Sequence, residues 1–520
     1  MSMDEKQPPS PVLDEKHDGA DVEAHSVSSA SDDDRRADEA LKLVGRERTQ
    51  VFSDEYNAKL RRKLDLWIPP LCAAVYFTQF LDKTSLNYAS IMGFPIKGQQ
   101  YNLISMAFYL GFLVFEFPTV YISQKLRLAK YLGGNIVLWG AILMLHAVPS
   151  SFGAFFALRF LLGMCECCVA PILILIISMF YKKNEQASRI SWFYVMNGLT
   201  AIFGGFTAYG ISFYDGHAIA SYKIVYLLLG GLAILVGAAV LLWMPDSPVH
   251  AARLTPEERI AVLERVRDDQ GGTENKTLKR SQIVEAVCDV RTWLIVLSTM
   301  MTSIPNGALS NFSNIVIKGF GYSTKQTLIL STPGGLVAAL TTLACGYYSD
   351  KKNERMLPIV FALIPTIVGS AMLVGLNGSG NKGALLFAIY LVNTFGSALS
   401  IIYAYNASNT SGHTKKLTIN AMTLASFSVG NIIGTEIFQS KDAPGYIPGK
   451  VAILVLISVQ LFICFLLRAI NIHKNKLKVK AVQKEKERRG WSDADVQRER
   501  ERSAFLDLTD NENIFFVYTA

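Results

Sequence analysis

Long apolar runs alternate with short polar stretches between residues 66 and 471 of the chain. An α-helix rises 1.5 Å per residue, so about 20 apolar residues cross a hydrocarbon core about 30 Å thick. Runs of this length predict twelve membrane-spanning helices, near residues 66–88, 101–123, 131–148, 152–180, 190–212, 223–244, 292–316, 327–348, 356–377, 383–408, 417–439 and 450–471. The pattern therefore predicts an all-α membrane protein with two six-helix halves.

Polar segments flank and join these two halves. The predicted division is a disordered tail at 1–60, a first half at 61–244, a linker at 245–291, a second half at 292–471 and a second tail at 472–520. Within the linker, Thr255-Pro256-Glu257-Glu258 is typical of a helix start with proline in its first turn. We therefore expect short helices between the halves.

The composition supports a membrane protein. Charged residues make up 18% of the chain, the mean hydropathy is +0.27, and 64 of the 94 charged residues lie in residues 1–65, 245–291 and 472–520. This distribution excludes a soluble multidomain enzyme, a disordered chain and a nucleic-acid binder, because the net charge of +8 belongs mostly to loops and tails. Seven cysteines, several of them inside apolar runs, argue against a disulfide framework.

Lysine and arginine residues are concentrated on one side of the predicted membrane. They flank the first span and follow spans 2, 4, 8 and 10, at Arg61, Arg62, Lys63, Lys125, Arg127, Lys130, Lys182, Lys183, Arg189, Lys351, Lys352, Arg355, Lys415 and Lys416. Cytoplasmic loops carry the excess of such residues. We therefore expect both termini and the linker to be cytoplasmic.

Two six-helix halves around a cytoplasmic loop are the layout of the major facilitator superfamily. The loop after span 8, Gly346-Tyr347-Tyr348-Ser349-Asp350-Lys351, resembles a motif of that superfamily. In this motif, glycine allows close helix approach and aspartate caps a neighbouring helix. The resemblance implies that Gly346 and Asp350 take part in gating.

More specific motifs resemble the fungal allantoate permease family, a branch of the anion:cation symporters, from about residue 40 to the C-terminus. They are Phe80-Leu81-Asp82-Lys83, Arg159-Phe160-Leu161-Leu162-Gly163-Met164-Cys165-Glu166, Met196-Asn197-Gly198, Ser303-Ile304-Pro305-Asn306-Gly307, Gly319-Phe320-Gly321-Tyr322, Asn409-Thr410-Ser411-Gly412-His413, Gly430-Asn431-Ile432-Ile433-Gly434 and Ala443-Pro444-Gly445-Tyr446. The ending Phe505-Leu506-Asp507-Leu508-Thr509-Asp510 also looks like the end of that family.

This resemblance implies a proton-coupled importer of a small organic anion in the plasma membrane, such as allantoate, a ureido acid or a related carboxylate. Other branches of the family are assigned dipeptides, sulfur amino acids or vitamin acids, and these remain alternatives. A nutrient-sensing transceptor of the same fold is a second class, and an enzyme is disfavoured. The expected partners are the anion, a proton and the bilayer, without nucleic acid, and the chain is expected to be monomeric.

Four charged residues inside the predicted spans are the candidate site. Charged groups in a bilayer core are costly, so they usually face a cavity and carry function. Arg159 and Glu166 lie two turns apart on one face of span 4, and Asp82 and Lys83 lie in span 1. We expect Arg159 and Lys83 to bind the substrate anion, and Glu166 and Asp82 to exchange protons. The alternative is that these residues form structural ion pairs.

Uncharged polar residues complete the predicted site, because amides both donate and accept hydrogen bonds. The candidates for substrate contact are Gln79, Asn197, Asn306, Asn311 and Asn393. Asn306 is favoured, since Pro305 and Gly307 are expected to loosen the helix around it. Glu116 in span 2 is predicted to act in gating.

Neither a metal nor an organic cofactor is expected. Cys165, Cys167 and Cys168 have no histidine nearby in sequence and point in different directions on a helix. The glycine pairs fall within apolar spans, not between a strand and a helix, so they are not phosphate-binding loops. His146 and His413 are predicted to be isolated. Transport is therefore expected to run on an ion gradient.

Overall fold

A computed structural model describes residues 52–214, 218–267, 279–352, 354–496, 499 and 508–519 of the chain. The described part of the first half and linker contains helices α1 (Asp54–Asp65), α2 (Ile68–Ala89), α3 (Gln99–Lys125), α4 (Leu128–Leu145), α5 (Phe152–Glu166), α6 (Val169–Phe180), α7 (Lys183–Tyr194), α8 (Met196–Ile211), α9 (Ser221–Trp243), α10 (Pro256–Arg267) and α11 (Arg280–Cys288).

The second half contains helices α12 to α19 and two short 3-10 helices. They are α12 (Val290–Gly319), α13 (Thr324–Leu330), α14 (Thr332–Lys352), α15 (Met356–Gly375), α16 (Lys382–Val392), a 3-10 turn (Asn393–Phe395), α17 (Gly396–Asn409), α18 (His413–Glu436), a second 3-10 turn (Ser440–Asp442) and α19 (Ile447–Arg489). The described part of the chain thus contains helices and loops but no strand, as the hydrophobic pattern predicts.

Ten helical stretches of the described chain are long and apolar enough to cross a membrane. The remaining two predicted spans are helical as well. The span predicted at 190–212 is interrupted at Val195, between α7 and α8. The span predicted at 292–316 is α12, whose serine, threonine and asparagine residues lower its hydropathy. Two sets of six spans therefore form the bundle.

Glycine residues allow the helices within each half to approach closely. In the first half, a β-carbon on Gly111 of α3 would overlap the carbonyl oxygen of Phe160, and one on Gly163 of α5 would overlap that of Phe108. In the second half, Gly434 of α18 meets the backbone of α12 in the same way. Without a hydrophobic force between helices in lipid, such small residues let the backbones pack directly.

Several hydrogen bonds join the two halves at the end of the bundle away from α1, α10 and α11, which we call the distal end; the opposite end is the tail end. The hydrogen bonds here are Asn87 Nδ2 to Ser313 Oγ at 2.8 Å, Asn314 N to Asn87 Oδ1 at 3.1 Å, Tyr101 O–H to the Asn311 carbonyl at 2.8 Å, Asn102 Nδ2 to the Phe438 carbonyl at 3.0 Å and Gln99 Nε2 to Glu436 Oε2 at 2.8 Å. These bonds close the distal end of the crevice between the halves.

The tail end departs from the predicted boundaries. Residues 1–51 of the predicted disordered tail lie outside the described residues, but α1 begins at Asp54, before the predicted boundary at residue 60. Ser53 caps this helix, because its hydroxyl accepts from the Tyr56 N–H at 3.2 Å. Leu60 and Leu64 then bury one face of the helix. At the other terminus, α19 continues as a helix well past residue 471, to Arg489.

Candidate functional site

The span formed by α5 and α6 breaks in its middle, at Cys167 and Cys168. Pro171 explains the break, because proline has no N–H and its ring clashes with the carbonyl four residues earlier in a helix. Glu166 is therefore the last residue of α5. Its carbonyl accepts a hydrogen bond from Gln79 Nε2 of α2 at 3.1 Å. The break thus places Glu166 at a helix end that α2 stabilises.

The four predicted charged residues come together between α2 and α5. Arg159 donates to Ser85 Oγ of α2 at 3.1 Å, which fixes the guanidinium beside that helix. Arg159 acts electrostatically on Asp82, and Lys83 acts on Glu166. The exposed fraction is 1% or less for Asp82, Arg159 and Glu166. Each acid therefore lies within electrostatic range of a base on the other helix, and the two acids also act on each other.

The carboxylates of this cluster lack direct partners. Among the described residues, no ion pair joins Asp82 or Glu166 to a base, and all four of their carboxylate oxygens are buried without a hydrogen bond. The Nε of Arg159 is likewise buried without a partner. A buried charge is strongly disfavoured unless it is paired and hydrogen-bonded. This arrangement differs from the structural ion pairs that were the alternative interpretation.

Lys83 faces the interface between the halves. Its Nζ lies 5.3 Å from the ring centre of Phe80, 5.5 Å from that of Tyr109 and 5.9 Å from that of Phe427. Phe427 belongs to α18 of the second half. Aromatic rings attract a cation through their negative faces. An anion bound at Lys83 would therefore be within reach of both halves.

Three of the predicted asparagines donate hydrogen bonds within the protein, Asn306 to a neighbouring helix and the other two to carbonyls four residues earlier. Asn306 Nδ2 donates to Asn431 Oδ1 at 2.8 Å, Asn311 Nδ2 to the Gly307 carbonyl at 2.8 Å, and Asn393 Nδ2 to the Ile389 carbonyl at 3.1 Å. Each bond occupies an amide donor. By contrast, Asn197 Oδ1 is buried without a hydrogen bond in the described part of the chain. Asn197 therefore has a buried acceptor that is available to a ligand.

The expectation that Pro305 and Gly307 loosen their helix is wrong. Helix α12 runs without interruption from Val290 to Gly319. A β-carbon on Gly307 would overlap the backbone of Asn431, so this glycine allows α12 and α18 to touch. The neighbouring helix stabilises the region that proline weakens.

The predicted gating residues have different surroundings. Glu116 of α3 is buried, and Ser428 Oγ of α18 lies 3.5 Å from its Oε2, so it contacts the other half. The prediction that Gly346 permits close helix packing is wrong, because a β-carbon there would meet nothing within 4 Å. Asp350 lies in the last turns of α14, and its side chain is outside the part of the molecule that the structure describes.

His146 is not isolated as predicted. It is fully buried, its Nδ1 lies 2.9 Å from the Ile142 carbonyl, and its ring centre lies 5.2 Å from that of Tyr226. Arg159 acts electrostatically on both side chains. Sequence spacing does not reveal this contact, nor that of Ser85 with Arg159, because both join residues of different helices.

The arrangement of twelve spans in two halves matches a known family. The sequence pattern of the Major Facilitator Superfamily matches residues 72–435, well over half of the chain. The chain belongs to this superfamily. The superfamily consists of transporters, so this facilitator is a transporter and not an enzyme.

Relatives of this facilitator confirm the resemblance to allantoate permeases. The allantoate permease of Saccharomyces cerevisiae is 34% identical over 93% of this chain and 90% of its own. A high affinity cysteine transporter of the same yeast is 30% identical over 96% of this chain and 98% of its own. The facilitator is therefore a multi-pass membrane transporter of the fungal permease type.

Solved structures agree on the fold. The crystal structure of a bacterial homologue of the human lysosomal transporter Spinster, in an inward-facing and unoccupied conformation, matches with a TM-score of 0.59. It is 14% identical, and the match covers 80% of this chain and 98% of that one. At this identity, the likeness shows the facilitator fold alone.

Proposed function

We propose that this facilitator is a proton-coupled symporter that imports a small organic anion, such as allantoate, a ureido acid or a related carboxylate. The observation that carries the proposal is the pair of buried carboxylates, Asp82 and Glu166, that lack hydrogen-bond partners beside Arg159 and Lys83. Two bases next to unpaired acids provide both an anion site and proton carriers.

Arg159 and Lys83 hold the carboxylate of the substrate in this proposal. The guanidinium of Arg159 is planar and forms two parallel hydrogen bonds to a carboxylate, whereas lysine is a compact point charge. Ser85 orients Arg159 from one side. The candidates for contact with the remainder of the substrate are Asn197, Gln79, Asn306, Asn311 and Asn393.

The charge of the cluster provides the coupling. Two ionised acids and two bases sum to zero, so a bound monovalent anion leaves one net negative charge in an apolar environment. One proton on Glu166 or Asp82 restores neutrality, and burial strongly favours the neutral cluster. The anion and the proton therefore enter together, without direct contact between them.

Alternating access requires that the two halves rock around this cluster. The hydrogen bonds at the distal end support a state that is closed on that side, and Glu116 lies where α3 meets α18 of the other half. We place both termini and the linker in the cytoplasm and the monomeric protein in the plasma membrane. Substrate then enters from the distal side and leaves at the tail end.

The decisive experiment is transport by the Glu166→Gln variant in proteoliposomes. The amide mimics the protonated acid, so exchange of labelled allantoate between its two sides is expected to persist, while accumulation driven by an inward proton gradient is lost. Glu436→Gln is the matched control, since Glu436 bonds Gln99 at the distal end. Gradient-driven accumulation by Glu166→Gln would instead assign coupling to Asp82.

A sulfur amino acid is the second candidate substrate, because the high affinity cysteine transporter is related along nearly the whole chain. Thermal unfolding of the purified facilitator with allantoate, dicarboxylates, dipeptides, cysteine and vitamin acids separates these candidates. A ligand present at 100 times its Kd stabilises a folded protein by about 2.7 kcal/mol. Stabilisation by cysteine alone would replace the proposed ureido or carboxylic acid.

A further inference from the structure

The C-terminal segment, residues 508–519, folds back onto the tail end of the second half. It contains the polar residues 509–513 and continues into the apolar run 514–518, and within it Thr509 and Asp510 are fully buried and Tyr518 is 2% exposed. It contacts side chains of α12, α17, α18 and α19. Full burial of a charged side chain such as Asp510 is uncommon unless the charge is paired.

Ion pairs of Asp510 hold this segment against the second half. Asp510 lies between two bases, with Lys415 Nζ 2.7 Å from Oδ1 and Arg291 Nη1 3.0 Å from Oδ2. The hydroxyl of Tyr518 also donates to Oδ2 at 2.9 Å, and the Arg291 guanidinium lies 4.3 Å from the Tyr518 ring centre. Burial alone raises the pKa of Asp510, but Lys415 and Arg291 outweigh burial and hold the pKa below its usual value.

Amide side chains then bind the backbone of the segment. Asn475 donates to the Tyr518 carbonyl at 2.8 Å and accepts from its N–H at 2.9 Å. Asn409 accepts from the Thr519 N–H at 2.8 Å, and Asn471 donates to the Thr519 carbonyl at 2.8 Å. Backbone recognition by side-chain amides, with a pocket for a charged and an aromatic side chain, is how proteins bind peptides.

The segment also contacts the linker. Asn511 Nδ2 donates to Glu285 Oε1 of α11 at 2.6 Å, and the same Glu285 oxygen lies 2.9 Å from Lys415 Nζ. Helix α11 is therefore fixed to the second half. Helix α10 is instead fixed to the first half, through Lys63 to Glu258 at 2.7 Å and Arg265 to Glu185 at 2.8 Å. The two linker helices thus belong to different halves.

We propose that the tail end of the second half is a binding site for an acidic, aromatic peptide, and that residues 508–519 of the chain itself are its resident ligand. Arg291 and Lys415 recognise the acid, and Asn409, Asn471 and Asn475 recognise the backbone. The bound segment adds the Asn511 contact to those that Lys415 and its neighbours make with α11. Release of the segment weakens the attachment of α11 to the second half and leaves α10 in place.

Hydrogen exchange in the full-length protein tests the docking. In Asp510→Asn, the buried Arg291 and Lys415 lose the acid that they share, so amides of residues 508–519 and of α11 are expected to exchange at least about tenfold faster. Asp493→Asn is the matched control, because Asp493 pairs with Lys486 but is 95% exposed. Unchanged exchange in residues 508–519 would overturn the docking, and unchanged exchange in α11 would overturn the fastening of the linker.

A peptide in solution tests whether the pocket is a binding site. A fluorescent peptide with the sequence of residues 505–520 is expected to bind the Asp510→Asn protein and not the unchanged protein, whose site is occupied. The same peptide with the Asp510→Asn substitution is expected to bind neither the Asp510→Asn protein nor the unchanged protein. Failure of the native peptide to bind would show that the segment packs as ordinary structure. Tyr518→Phe, which removes one hydrogen bond, repeats the test if Asp510→Asn does not fold.

Discussion

The facilitator contains two buried clusters made of the same residue types, one in each half. In the first half, Asp82 and Glu166 face Arg159 and Lys83 without an ion pair among the described residues. In the second half, Asp510 lies 2.7 Å from Lys415 and 3.0 Å from Arg291. Burial is nearly complete in both, except that Lys83 is half-buried. The two clusters therefore differ in whether their charged groups have partners within the protein, and not in the kinds of charge that they contain.

This difference separates structural from functional charge. A buried acid that is paired and hydrogen-bonded contributes to a unique structure, and removal of its partner is strongly destabilising. A buried acid without a partner destabilises the folded chain unless a proton or ligand neutralises the cluster. The cluster of the second half is complete in itself. In the proposed function, the cluster of the first half is completed by the anion and the proton that it binds, and the following predictions test this contrast.

The largest effect is expected for Arg159→Lys. Loss of a bidentate, charge-assisted contact removes on the order of 3 kcal/mol, which is about a hundredfold in affinity. Folding and delivery to the membrane stay normal, because lysine keeps the charge. Saturation of labelled allantoate uptake measures the change. The control is Arg468→Lys, whose guanidinium forms two hydrogen bonds to Glu354 away from the site. Equal loss in both variants would contradict the assignment.

Asp510→Asn is expected to reduce stability with little effect on affinity. Removal of one partner of a buried ion pair costs about 3–5 kcal/mol, because the remaining charge stays buried. Thermal unfolding measures this loss. The double variant Asp510→Asn with Lys415→Met is expected to recover part of it, since fewer unpaired charges remain. If the two substitutions simply add, Lys415 and Asp510 do not interact energetically.

An aspartate-to-asparagine substitution in the cluster of the first half is expected to leave stability nearly unchanged. Asp82→Asn removes an acid that has no hydrogen-bond partner, so the free energy of unfolding is expected to stay within about 1 kcal/mol of the unchanged chain. Proton-driven uptake falls, because one of the two proton carriers is lost. Parallel thermal melts of Asp82→Asn and Asp510→Asn make the comparison directly. A similar loss of stability in both would make Asp82 a structural residue.

The smallest effect concerns pH. A group whose folded pKa is depressed contributes stability above its unfolded pKa, about 3.9 for aspartate, and loses it only as pH falls through the lower folded value. The pKa of Asp510 is lowered by Lys415 and Arg291 after the opposing effect of burial. Hydrogen exchange of residues 508–519 is therefore expected to show the same protection at about pH 7 and about pH 5. Release within that range would contradict the ion pairs.

Hydropathy and charge along the chain determined the helical membrane fold, the division into two halves and the helical linker, because these depend on local composition and the thickness of a bilayer. Four residues of the site were also predictable, since charges are rare inside apolar spans. The motifs around Asp82, Arg159 and Glu166 further indicated the permease family that its relatives confirm.

Tertiary structure alone decided which partner each polar group has. Asn306 donates a hydrogen bond to Asn431, a β-carbon on Gly346 would meet nothing within 4 Å, and the ring of His146 lies beside that of Tyr226. The docking of Asp510 between α12 and α18 was equally hidden, because these contacts join positions more than 90 residues apart. Apolar periodicity indicates which face of a helix is buried, but the choice of neighbour depends on the relative placement of whole helices. That placement determines whether a buried charge is satisfied within the protein or by a ligand.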